Sequence, residues 1–237
     1  MKQLDLRAGL ACVLAALAAS CSTPFEGYRQ EQRGADERLA ELVALMDDQS
    51  EQGGAPGGEH DLADSGRLLN ELRRLNQDYP AHAPTLFALA TKTYEAGQRE
   101  RADAYLDQIF DLEPVHPEAG VLRAQLALRD GNLSAARRVL EQQIRYTPDH
   151  PGLREAHGSV LYFAGELEPA RVELERARRL GAPPWRVAFN LGLIEEADGN
   201  VTLAMERYQV ATRLNTDFRP AASRLAGLEA EFGDLVR

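Results

Sequence analysis

Cysteine is almost missing from this chain: its 237 residues hold two, Cys12 and Cys21. Both lie near the N-terminus, so the remainder has no thiol for a disulfide, a CxxC redox pair or a thiolate zinc site. Lysine is as scarce, confined to Lys2 and Lys92, and nearly all the positive charge is arginine. A basic surplus is missing too. The net charge of −10 at pH 7 is the reverse of what a nucleic-acid binder carries. The one long uncharged apolar stretch, AGLACVLAALAAS, is too short and alanine-rich for a comfortable membrane span, which needs ~20 apolar residues. Signatures of catalysis are absent as well. No G-x-S-x-G elbow surrounds Ser159, and there is no P-loop, no G-x-G-x-x-G and no HExxH. Glu195 and Glu196 are adjacent, so on a helix they point about 100° apart and form no facing acid–base pair. An enzyme is not expected, nor is a metal, a cofactor or a small-molecule substrate.

What is present begins at the N-terminus. Lys2 and Arg7 precede the apolar stretch, and small residues follow it, which is the layout of a secretory signal. The LAASC at its end resembles the lipobox of bacterial lipoproteins, with Ala18 where that family usually has Leu and Leu17 one place earlier. The resemblance implies a signal peptide over 1–20 and acylation of Cys21, palmitate among the chains, with Cys21 as the mature N-terminus. Ser22 follows the cysteine where Asp would favour inner-membrane retention in that family. The implied location is therefore the outer membrane, facing the periplasm; inner-membrane anchoring and a soluble periplasmic form are the alternatives. From Pro24 to Asp64 eleven acids face Arg29, Arg33 and Arg38, whereas residues 65–237 carry 25 acids and 22 basic residues. The acidity belongs to a tether over 21–64. Within it, ADERLAELVALMDD predicts a helix at about 35–48, and QSEQGGAPGGEHDLAD reads as a flexible Gly-rich linker.

A period of 34 organises the rest. Gly97, Gly131, Gly165, Gly199 and Gly233 lie on it, as do Ala102, Ala136, Ala170 and Ala204. Leu106, Leu140, Leu174 and Tyr208 follow four places later, and Pro80, Pro114 and Pro148 share the spacing. Each type has a physical role: Gly permits a tight reversal, Ala a close helix crossing, the large apolar residue fills the groove, and Pro stops the helix. The segment SAARRVLEQQIRY sets Ala136, Val139, Leu140 and Ile144 on one helical face, and no segment sustains a period of two, so no sheet is predicted. This punctuation resembles the tetratricopeptide repeat (TPR) family. The resemblance implies an all-α solenoid of antiparallel helix pairs, wound as a right-handed superhelix, over 65–237. Its parts are a half repeat at 65–82, repeats at 83–116, 117–150, 151–184 and 185–218, and a capping helix at 219–237. On the inner face of helix A, Arg123 and His157 stand where the other repeats have Leu89 and Leu191.

His82, His116 and His150 also share the period. Equivalent positions in a stack stand a helix-packing distance apart, on the order of 10 Å, too far for one ligand sphere at ~2 Å. They are expected to be punctuation between one helix pair and the next.

Function is then expected in the groove, which in TPR proteins is lined by helix A and holds a partner segment. The groove candidates are Phe87, Thr91 and Tyr94, Gln125 and Leu128, Tyr162, and Phe189 with Asn190; Val121, Glu155, Ser159 and Leu193 line the same face. Phe87 and Thr91 occupy the places where the family's carboxylate clamp has Lys or Arg and Asn, so chaperone tails are disfavoured. The aromatic lining suits apolar anchors of a partner, and Asn190 sits where the family often places an Asn that bonds a peptide backbone. The reading is a non-enzymatic, membrane-anchored adaptor for protein partners in the bacterial envelope, supporting assembly of a pilus, secretion or outer-membrane complex. Alternatives are an adaptor or regulator of cell-wall enzymes and a purely structural spacer.

Overall fold

A computed structural model describes residues 24–52 and 59–232. Among them are eleven helices and no strand. The signal peptide, Cys21, Gly233 and the end of the expected capping helix lie outside the described residues. The chain divides into two compact units, Met1–Ala96 and Gly97–Arg237.

The first unit holds α1 (Pro24–Gln52), α2 (Glu59–Asp78) and α3 (Ala83–Glu95). The expected helix at 35–48 is part of the much longer α1, and α2 starts six residues ahead of position 65. Much of the segment read as a Gly-rich linker is therefore helical. Its Gln, Glu, Asp, Leu and Ala are adequate helix residues. Helix α1 packs on both α2 and α3. Ala35 is fully buried, Arg38 pairs with Asp78 at 2.8 Å, and the Arg38 guanidinium lies over the Tyr79 ring. Leu68, Leu72 and Leu75 bury one stripe of α2.

The second unit holds α4 (Arg99–Leu112), α5 (Pro117–Arg129), α6 (Leu133–Tyr146), α7 (Pro151–Phe163), α8 (Leu167–Arg179), α9 (Pro184–Ala197), α10 (Val201–Leu214) and α11 (Arg219–Phe232). Pairs α5/α6, α7/α8 and α9/α10 are the antiparallel hairpins of the repeat. The second helix of each packs on the first helix of the next, and α10 packs on α11. Gly131, Gly165 and Gly199 adopt φ of +72°, +76° and +81° at the three hairpin turns. That left-handed conformation lets the next amide reach back to the helix, as in Asn132 N–H to Ala127 O at 2.8 Å and Asn200 N–H to Glu195 O at 2.8 Å.

The repeated Ala and large apolar positions form the core: Ala136, Ala170 and Ala204 are fully buried, with Leu140, Leu174 and Tyr208 beside them. Opposite the large residue the first helix has a small one. A Cβ on Gly158 would stand 2.9 Å from Leu174 Cγ, and one on Gly192 would stand 2.6 Å from Tyr208 Cε1. The polar departures at Arg123 and His157 are met by acids of neighbouring helices. Arg123 donates to Asp107 at 2.6 Å and to the Asp103 carbonyl at 3.1 Å, and covers the Phe110 ring. His157 Nδ1 lies 3.8 Å from Glu173 Oε2, within ion-pair range and beyond hydrogen-bond reach, while Arg154 grips both oxygens of Glu173 at 3.2 and 3.0 Å.

Candidate functional site

The three phased histidines are the N-caps of α3, α5 and α7, each followed by proline within the first two helical positions. His116 Nδ1 accepts from Ala119 N–H at 3.3 Å, and His150 Nδ1 accepts from Leu153 N–H at 3.2 Å. These bonds satisfy amide donors that a helix start leaves free. The cap fixes the His150 tautomer: its proton sits on Nε2, which faces Glu118 Oε1 at 3.2 Å. Glu118 Oε2 also lies 3.4 Å from His116 Nδ1, but that nitrogen's lone pair is taken by the Ala119 amide, so the hydrogen bond of Glu118 is the one to His150. In the first unit His82 is buried, with Thr85 Oγ1 at 2.6 Å from Nδ1 and Asp36 Oδ1 at 3.0 Å from Nε2. Among the described residues no group of three or more His, Cys, Asp or Glu could hold a metal ion.

Groove candidates fall in both units. In the first, Phe87, Thr91 and Tyr94 lie half-buried along α3, where the Thr91 hydroxyl donates back to Phe87 O at 2.9 Å. In the second, Gln125 and Leu128 on α5, Tyr162 on α7, and Phe189 and Asn190 on α9 are all half-buried. Leu128 packs on the core between α5 and α7, and Tyr162 on the core around Leu174. Phe189 meets the Tyr208 ring at 5.7 Å and the Phe218 ring edge-on at 5.0 Å, so much of its area joins α9 to α10 and the segment before α11. Trp185 completes that cluster against Phe218 at 4.7 Å.

Asn190 bonds within the protein. Its amide donates to Glu155 Oε1 at 3.3 Å, and Arg186 Nε donates to the same oxygen at 2.8 Å. Glu155 is 4% exposed, and its other oxygen, Oε2, is buried with no hydrogen-bond partner among the described residues. Burial pushes its carboxyl above the ordinary range, against the lowering effects of Arg186 and Asn190. One turn along α7, the Ser159 hydroxyl donates to Glu155 O at 3.1 Å. These groups join α7 to α9, the first helices of successive repeats. Arg186 and the partnering of Glu155 were not legible from periodicity. The available signal was the residue type: Glu155 occupies the register of Phe87, Val121 and Phe189.

Glu195 and Glu196 part as their angular separation requires. Glu195 takes Arg171 and the Asn200 amide, while Glu196 accepts from the Tyr208 hydroxyl at 2.6 Å and from Arg224 at 2.9 Å. Burial, and then the bond to Glu196, push the Tyr208 hydroxyl well above its ordinary value. Both carboxylates are committed to holding helices together.

No family model matches the sequence, and no curated protein resembles it significantly. Solved structures do. A TPR protein of Thermus thermophilus is 18% identical, with a TM-score of 0.65 over 82% of this chain and 98% of its own. A tetratricopeptide repeat protein of Parabacteroides merdae is 18% identical, with a TM-score of 0.62 over 90% of this chain and 88% of its own. The Cut9–Hcn1 hetero-tetramer of the APC/C matches at 15% identity and a TM-score of 0.66 over 72% of this chain; the match spans only 34% of that neighbour. With the eleven helices, the phased turns and the small–large core pairs, these likenesses establish the fold as an all-α TPR solenoid.

Proposed function

We propose that the protein is a non-enzymatic adaptor that binds protein partners on the first-helix face of its repeats and works from a lipid anchor in the bacterial envelope. The observation that carries the binding reading is the Glu155–Arg186–Asn190 cluster. Three polar side chains from two successive repeats converge there, and one buried carboxylate oxygen has no donor from the described residues. The Arg186 side chain is 40% exposed, so a partner group can reach the cluster from its rim. Half-buried Gln125, Ser159 and Tyr162 on the same face supply further contacts. The TPR neighbour Cut9 occurs in a hetero-tetramer with another protein, which fits this use of the fold. The anchor rests on the LAASC motif ending at Cys21, and the outer-membrane, periplasm-facing location on Ser22. The processes served are assembly of a pilus, a secretion system or an outer-membrane complex.

The test is capture from envelope extracts with wild type and with the Gln125→Ala/Tyr162→Ala/Asn190→Ala variant. The expected result is loss of specific partners from a variant that retains its helical circular dichroism. Unchanged capture sinks the groove reading, and absence of any specific partner leaves a structural spacer. Cys21→Ser is expected to release the protein from membranes; undiminished membrane recovery refutes the anchor.

A further inference from the structure

The last turns of α6, α8 and α10 repeat a feature that neither the core nor the groove uses. Arg145–Tyr146, Arg179–Leu180 and Arg213–Leu214 are cation–apolar pairs spaced by 34 residues. All three arginines are exposed, and none makes an ion pair or hydrogen bond with a described residue. Most other arginines of this unit are paired, as Arg137 is with Glu166 and Arg176 with Asp149. Tyr146 is 67% exposed, Leu214 is 54% exposed and Leu180 is half-buried. The negative end of a helix dipole accounts for a cation in the last turn. It does not account for an exposed apolar residue beside each one. Because the three hairpins repeat, their second-helix ends recur on the same edge of the stack.

We propose that this ridge docks on an anionic phospholipid surface, with Arg145, Arg179 and Arg213 meeting phosphates and Tyr146, Leu180 and Leu214 entering the acyl boundary. Charge complementarity selects the occupant: three unpaired guanidiniums suit phosphate, to which arginine bonds bidentately. A phenol ring and two leucines alongside suit the boundary layer, where apolar bodies bury and polar tips stay wet. A bilayer offers phosphates at any spacing, whereas an acidic protein would need carboxylates matched to the repeat. The inference goes beyond the anchor reading, since the ridge acts without an acyl group and would lay the repeats against the membrane.

The test uses the full chain carrying Cys21→Ser, so that acylation plays no part, with phosphatidylcholine vesicles made with and without phosphatidylglycerol. Stronger sedimentation with the anionic vesicles, weakened by salt, is expected. Arg145→Gln/Arg179→Gln/Arg213→Gln should weaken that binding about 100-fold, from about fivefold per arginine. Tyr146→Ser/Leu214→Ser should weaken it as well. The α4 end supplies an internal control: Leu112, 44% exposed, follows Asp111 instead of an arginine. Asp111→Arg should strengthen binding about fivefold. The proposal is overturned if wild type shows no preference for anionic vesicles or if the triple variant binds them equally. It is also overturned if polyglutamate is bound while vesicles are not, which would assign the ridge to an acidic protein.

Discussion

Gly192 faces the Tyr208 ring so closely that a single added carbon would overlap it, at 2.6 Å from Cε1. The preceding repeat solves the same crossing with Gly158 against Leu174, and the one before with Ala124 and Leu140 in one core cluster. Leucine is met by Ala124 or Gly158, and the larger tyrosine by Gly192. Alanine would improve helix propensity at position 192 by roughly 1 kcal/mol, but the ring is held by its hydroxyl bond to Glu196 and cannot swing aside freely. Gly192→Ala is therefore expected to destabilise the protein by about 1–2 kcal/mol net, by overpacking. Adding Tyr208→Leu should remove most of that loss, as read from urea unfolding midpoints of the two single variants and the double. Strict additivity would refute the steric account. Each of these residues is visible in the sequence as a departure from its register. Their contact is not, because they lie 16 positions apart and meet only across a hairpin.

At the scale of the element, α9 is tied on two sides by two consecutive acids. Glu195, 2% exposed, holds Arg171 of α8 and Asn200 of the hairpin turn, while Glu196 holds Tyr208 of α10 and Arg224 of α11. Burial would lower the Arg171 pKa, yet the hydrogen bond and charge of Glu195 raise it overall. The two ties differ in worth. Arg224–Glu196 is solvent-exposed on the arginine side and adds at most about 1 kcal/mol. Arg171→Met would strand a buried carboxylate with only an amide donor, and about 2–3 kcal/mol of stability is expected to go with it. Arg171→Met with Glu195→Gln should recover most of the loss, since a neutral amide tolerates the site. Thermal unfolding of the three variants checks this, and a double variant no better than Arg171→Met would contradict it. The helices themselves were legible from their period, their prolines and their turn glycines. Which arginine meets which acid was not, since 25 acids and 22 basic residues over 65–237 permit many pairings.

Over the whole molecule, these buried carboxylates set the response to acid. His157, followed by Arg154, holds the Glu173 carboxyl below its ordinary value despite its burial. A group depressed in the folded state contributes stability that is fully present above its unfolded value. That contribution is lost as pH falls through the folded value. Glu155 acts in the opposite sense: its folded value is raised, so ionising it costs stability as pH rises from the ordinary carboxylate range through the raised one. Glu173→Gln is therefore expected to lower the melting temperature at neutral pH and to converge on wild type in acid. Glu155→Gln should gain relative to wild type on going from acid to neutral pH. Melting curves across that range read both signs, and a Glu173→Gln deficit that persists unchanged in acid would show the loss to be one of packing rather than ionisation.

The sequence by itself determined the helix class, the 34-residue register and the places of the turns, because Gly, Ala, Leu and Pro act locally through backbone freedom, size and the lost donor. It also determined that the phased histidines are punctuation, since their spacing is that of the repeat. The extent of α1 and α2 was decided by the structure, where helix-forming residues carry α1 to Gln52 and start α2 at Glu59. The candidate site was likewise decided there. Phe189, legible only as an aromatic in a groove register, rests against Tyr208 and Phe218. Asn190 turns to Glu155, and Glu155 keeps one oxygen without a partner among the described residues. Periodicity assigns a side chain to a face of its own helix. Which groups meet there depends on how successive helices cross, and that is a property of packing.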